Sequence, residues 1–117
     1  MVEITMQVSN SLATRIQSLG DWSSTIIELK LVDFKFKSTK EASTKLIDFL
    51  SQNPSPQKVL DYFISGKHQK RLNELLEINR EGKTTENHQR EMDEWEKLEH
   101  IAIMMKAKAG KLLKGKL

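Results

Sequence analysis

From Glu86 to Leu113 the sequence carries a single amphipathic pattern with no proline to interrupt it. Met92, Trp95, Leu98, Ala102, Met105, Ala109 and Leu112 recur at steps of three and four, which puts them along one side of an α-helix. At 1.5 Å per residue that helix is roughly 40 Å long. Thr84 or Thr85 is placed to cap its start, and Glu86–Arg90 and Asp93–Lys97 are i, i+4 pairs in the favourable order. An apolar seam of this length is a surface for other helices.

The 117 residues suffice for one domain with a modest core, or a small module with an appendage. Hydrophobic residues make up 38% and charged residues 30%, with five glycines and two prolines, a balance that favours a helix-rich fold over disorder. The absence of cysteine excludes disulfides, thiolate zinc sites and a cysteine nucleophile. The longest apolar run, Ile101 to Met105, is far short of the ~20 residues of a membrane span. The first residues do not resemble a signal peptide, so a cytoplasmic location without membrane contact is expected.

Apolar Val2, Ile4, Met6 and Val8 alternate with Glu3, Thr5 and Gln7, the period of a half-buried β-strand. Ser9 or Asn10 then caps a helix with Leu12, Ile16 and Leu19 on one stripe, stopped by Gly20-Asp21. Ser23, Ser24 and Thr25 open a second helix, with Ile27, Leu31 and Phe34 at i, i+4, i+7. Residues 26–37 also alternate like a strand, but a strand there needs a bulge near Val32, and a helix ending near Phe36 is preferred. Lys37–Thr39 reads as a linker and Glu41–Ser51 as a short helix. Ser55 as N-cap and Pro56 as first residue start a helix that buries Val59, Leu60 and Phe63 and ends at Gly66. Leu72, Leu75 and Leu76 belong to another, closed by Gly82.

Charge is unevenly placed. Residues 1–34 hold two basic and four acidic side chains, residues 86–100 two basic and six acidic, and residues 101–117 five lysines with no acid. The lysine-rich end suits a nucleic acid or an acidic protein surface, or it opposes the negative end of the helix dipole.

A lone strand must pair its backbone with something, and the same strand of a second chain would serve. The strand Val2–Val8, helix Asn10–Leu19, turn Gly20-Asp21 and helix Ser24–Phe34 together resemble the ribbon-helix-helix family of DNA-binding proteins. Ile26-Ile27-Glu28-Leu29-Lys30-Leu31 is similar to the second helix of small antitoxin-like proteins common in cyanobacteria. Asp48-Phe49-Leu50 before Asn53-Pro54-Ser55-Pro56, then Leu75 to Arg80, Leu98-Glu99-His100 and Lys106 to Ala109 look like those proteins too.

The resemblance implies a mainly α fold with one N-terminal β-strand. Residues 1–36 would form an obligate ribbon-helix-helix homodimer core, and residues 39–117 a helical region. It also implies an antitoxin that binds its own operator DNA and sequesters a partner toxin, often a nuclease. Glu3, Thr5 and Gln7 would then read bases, and Ser23, Ser24 and Thr25 would anchor phosphate. The partner would meet Trp95, Leu98, Met105 and Leu112, with Lys106, Lys108 and Lys111 facing an acidic surface. One departure stands out: the strand carries no Lys or Arg, whereas DNA affinity rests largely on cation–phosphate contacts. Arg15, Lys35 and Lys37 are the cations that could help. The alternative is a dimeric helical adaptor without a DNA role.

No enzyme and no cofactor are expected. His88 and His100 lie about 120° apart around one helix and cannot share a metal from one face. Glu96 and His100 are i, i+4, but no second such pair completes a metal site. No phosphate loop, dinucleotide fingerprint or nucleophile elbow is present.

Overall fold

The computed structural model describes residues 2–115, and every regular element among them is a helix. In chain order these are α1 (Asn10–Ser18), a 3-10 turn (Gly20–Trp22), α2 (Ser23–Leu31), α3 (Lys37–Leu50), α4 (Pro56–Leu60), α5 (Gly66–Arg80) and α6 (Glu86–Lys114). The long amphipathic pattern is thus a 29-residue helix. It packs against α2, α3, α4 and α5, so the seam is covered by the chain itself. Trp95, Leu98, Ile101, Met105 and Ala109 of α6 share one buried cluster with Trp22, Ile26 and Leu29, with Phe34, and with Ala42, Leu46 and Leu50 of α3. Val59 of α4 and Leu75 of α5 complete it. Each fully buried large side chain contributes about 1.5–3 kcal/mol. The core runs without a break across residues 37–38, where a module boundary was expected.

The expected strand over Val2–Val8 is absent. Residues 2–9 form no regular secondary structure and all are exposed. Period-2 alternation encodes a face, not a partner, and no other described segment offers strand edges for pairing. The ribbon-helix-helix core is therefore not the fold of this chain, although its mainly α character holds. The second helix packs on its inward side within its own chain. Its inward residues Ile26 and Leu29 are covered by α3 and α6.

N-cap side chains set three of the six α-helix starts among the described residues. The Ser9 side chain accepts the Leu12 N–H at 3.1 Å, and Ser55 accepts that of Lys58 ahead of Pro56. Thr85 and His88 cap each other reciprocally, with the Thr85 Oγ1 accepting from His88 N and His88 Nδ1 accepting from Thr85 N. α2 ends at Leu31, short of Phe36, because Val32 turns to extended backbone with ψ of 123°. The strand-like alternation at residues 32–36 belongs to the connection that follows. Gly66 opens α5 and does not end α4, which stops at Leu60. Phe63, expected on a buried helical face, falls in the irregular segment between them and is 81% exposed.

α3 lacks a cap of its own and takes one from α6. The Glu94 carboxylate accepts the N–H groups of Lys35 and Phe36 and, at 2.6 Å, the Thr39 hydroxyl. A carboxylate there also meets the positive end of the α3 dipole.

Candidate functional site

The most exposed apolar surface lies at the N-terminal end. Val2 is 85% exposed and Ile4 82%, followed by Met6, Val8 and Leu12. Ile27 and Leu31 are likewise exposed, on the outer side of α2, whose inner side is the core. α1 buries none of its residues, although Ala13, Ile16 and Leu19 are half-buried. Nine residues form too short a helix to be stable alone in water, so a covering surface would add much to its stability. This projection helps to explain why the radius of gyration is 16.4 Å, against about 13 Å for a compact chain of this length.

A second feature is a hollow of about 450 Å³ between α3, the segment 62–65, the start of α5 and α6. Leu46, Leu98, Ala102 and Ile103 are among its apolar walls, with Phe63 at its edge. The Lys106 Nζ donates to the Tyr62 carbonyl at 2.9 Å and lies 5.4 Å from the centre of the Phe63 ring. His68 lines the hollow, is almost wholly buried, and bonds on both sides of its ring. Nδ1 is 2.9 Å from the Ser65 Oγ, and Nε2 is 3.2 Å from the Glu41 Oε2. The bond with His68, and then the Lys67 ammonium, hold the Glu41 carboxyl below its usual range.

Beside it, Glu91 is buried and paired. Arg71 of α5 grips both its oxygens, at 2.9 and 2.8 Å, and the Ser38 hydroxyl donates at 2.6 Å. The Arg71 bonds, reinforced by that of Ser38, hold the Glu91 carboxyl below its usual range despite burial. This cluster ties the starts of α3 and α5 to α6. It accounts for Glu91 among the six acids of residues 86–100, of which Glu86, Asp93, Glu96 and Glu99 are exposed.

The residues expected to act as sites are scattered by the fold. Glu3, Thr5 and Gln7 lie on the exposed segment with no ribbon beneath them. Of the proposed phosphate anchors only Ser24 is exposed, while Ser23 is half-buried and Thr25 buried. Trp22 occupies the N-cap position of α2 and makes no side-chain cap there; its indole N–H donates to the Pro54 carbonyl at 2.8 Å. Trp95, Leu98 and Met105, expected at a partner surface, are core residues because α6 is covered by the chain's own helices. Lys106 and Lys108 are tied to the carbonyls of Tyr62 and Asp21, Lys111 is exposed, and Leu112 is half-buried against the core. Sequence reasoning missed the Ser65–His68–Glu41 contact. The i, i+3 spacing of Ser65 and His68 was visible, but Glu41 comes from another helix.

Comparison with protein-family models, curated proteins and solved structures finds no match to this chain. No described helix is long and apolar enough to cross a membrane.

Proposed function

We propose that this chain is a protein-binding regulator of the antitoxin-like kind, and that residues 2–8, α1 and the outer side of α2 cover its partner. The observation that carries this reading is the run of exposed large apolar side chains at Val2, Ile4, Met6, Val8, Leu12, Ile27 and Leu31. Magnitudes say how such a surface works. Burying the four side chains of residues 2–8 yields roughly 6–12 kcal/mol. Ordering those seven residues costs about 7–14 kcal/mol of backbone entropy. The segment alone therefore gains little, and the helical surface of Leu12, Ile27 and Leu31, already formed, supplies the surplus.

The partner proposed is a protein with an apolar groove and a basic rim. The first 34 residues carry four acidic against two basic side chains. A nuclease presents basic surface to phosphates, and Glu3, the one charged side chain of residues 2–8, can meet it. The test is co-expression with the product of the adjacent reading frame. That product should arrest growth alone, the full chain should restore growth, and Ile4→Glu/Leu31→Glu should not, while its circular dichroism is unchanged. Rescue by the double variant as by the parent would sink the proposal. So would recovery of the chain solely as a dimer of itself through this surface.

The rival reading, an adaptor without a DNA role, has its own supporting observation. Glu3, Thr5 and Gln7 sit on a segment without a ribbon, and no cation precedes Arg15. Gel-shift titration with DNA from upstream of the reading frame separates the two. Selective binding lost in Thr5→Ala/Gln7→Ala speaks for an operator reader, and no binding with or without the partner speaks for the adaptor.

A further inference from the structure

Ser9, Ser55 and Thr85 stand at helix N-caps and bond their own helices. Ser65 stands in the same position before α5 and makes no such bond. Its hydroxyl is instead 2.9 Å from Nδ1 of His68, whose Nε2 is 3.2 Å from Glu41. An ionised carboxylate only accepts hydrogen bonds, so in the neutral ring Nε2 carries the proton and Nδ1 is the acceptor for the Ser65 hydroxyl. Hydroxyl, imidazole and carboxylate thus form a directed chain, the order that activation of a serine by a general base requires. The two ring nitrogens are used in the opposite sense to the serine proteases, but the proton route is the same.

Placement supports a reactive role. Ser65 and His68 both line the hollow of about 450 Å³, while Glu41 lies behind the ring beside Lys67 and Arg71, among the residues of a different hollow. That volume is in the range of small-molecule sites, and the walls are largely apolar. The first N–H groups of a helix have no partner within it, and the Ser65 side chain leaves those of α5 uncapped. Of the first three residues of α5, His68 lines the hollow.

We propose that Ser65, His68 and Glu41 hydrolyse esters of short apolar acyl groups held in this hollow, a function separate from the partner surface at the N-terminal end. The Ser65 Oγ attacks the ester carbonyl as its proton passes to Nδ1 of His68. The uncapped backbone N–H of His68, which lines the hollow, is available to the oxyanion. The carbon–oxygen bond to the alcohol breaks, and the departing alkoxide takes the proton from Nδ1. Water then attacks the acyl-serine, again with Nδ1 as base, and releases the carboxylic acid and the restored hydroxyl. Glu41 is a positioning residue that fixes the ring and its tautomer.

The test uses the full chain, a fluorophosphonate probe and p-nitrophenyl butanoate. Intact and peptide mass spectrometry should place one phosphonyl adduct on Ser65, and Ser65→Ala should abolish both the adduct and ester turnover. His68 is buried and its replacement endangers folding, so Glu41→Gln is the second variant. It should lower the maximal labelling rate about 10²-fold and leave the half-saturating probe concentration unchanged. No adduct on Ser65, or ester turnover equal in Ser65→Ala and the parent, overturns the proposal. Neither result bears on growth rescue, which depends on Ile4 and Leu31.

Discussion

α1 and α6 carry the same kind of signal and meet opposite fates. Leu12, Ile16 and Leu19 mark one stripe at helical spacing, and Met92 to Leu112 mark another. α6 has four helices across it and buries Trp95, Leu98, Ile101 and Met105, whereas α1 buries nothing. Periodicity therefore states that a face wants covering. It does not state who covers it. In α6 the chain answers for itself, and around α1 it leaves the stripe half-covered.

This contrast can be broken by mutation, and the largest effect belongs to α6. Trp95→Ala should destabilise the chain by about 3–5 kcal/mol in urea titration, as expected for a large core side chain. Trp95→Phe should cost much less, because the buried indole N–H has no hydrogen-bond partner to lose. A loss above ~3 kcal/mol for Trp95→Phe would mean that the N–H is satisfied in solution.

Next in size is the ion pair that joins α5 to α6. Arg71→Ala should cost about 2–4 kcal/mol at neutral pH, since it strands the buried Glu91 carboxylate. The pH dependence follows from the lowered Glu91 pKa. Its stabilisation is fully present above the ordinary value of 4.5 and is lost as pH falls through the lower folded value. The gap between parent and Glu91→Gln should therefore be constant above that value and narrow below it. A gap that widens in acid would show the pair to be unformed.

A smaller effect is expected where α1 joins the body. Gly20 has φ of 66°, and a Cβ there would lie 2.5 Å from the Asn53 side-chain oxygen. Gly20→Ala should cost about 1–2 kcal/mol and shift the angle at which α1 leaves. The smallest effect sharpens the contrast most. Removing residues 1–8 should change the stability of the isolated chain by less than about 0.5 kcal/mol, because residues 2–8 are all exposed. A clear loss would mean that the segment packs on its own chain and is not free for a partner.

What the sequence could convey followed from how local each signal is. Ser55-Pro56, Thr85, Gly82 and the seam of α6 act within one turn or along one helix, and they appear where expected. The strand failed because pairing is a relation between distant segments, and alternation at Val2–Val8 describes only one of them. Phe63 and Gly66 were misplaced for a related reason: α4 ends after five residues, and Gly66, of a type commoner past a helix end, opens the next helix instead. The hollow and its Ser65–His68–Glu41 contact needed α3 and α5 to be brought together, which no spacing along the chain records.

Glu94 has a consequence for the order in which this protein is made and destroyed. The cap of α3 is supplied by a residue 55 to 59 positions later in the chain. A growing chain released as far as α5 has no carboxylate to start α3, so its middle helix is finished only when the last one arrives. The same dependence runs in reverse. A protease that clips α6 at its start takes away the cap of α3, the partner of Arg71 and the wall behind α2 in one cut. Breakdown that begins in α6 is then expected to be all-or-none.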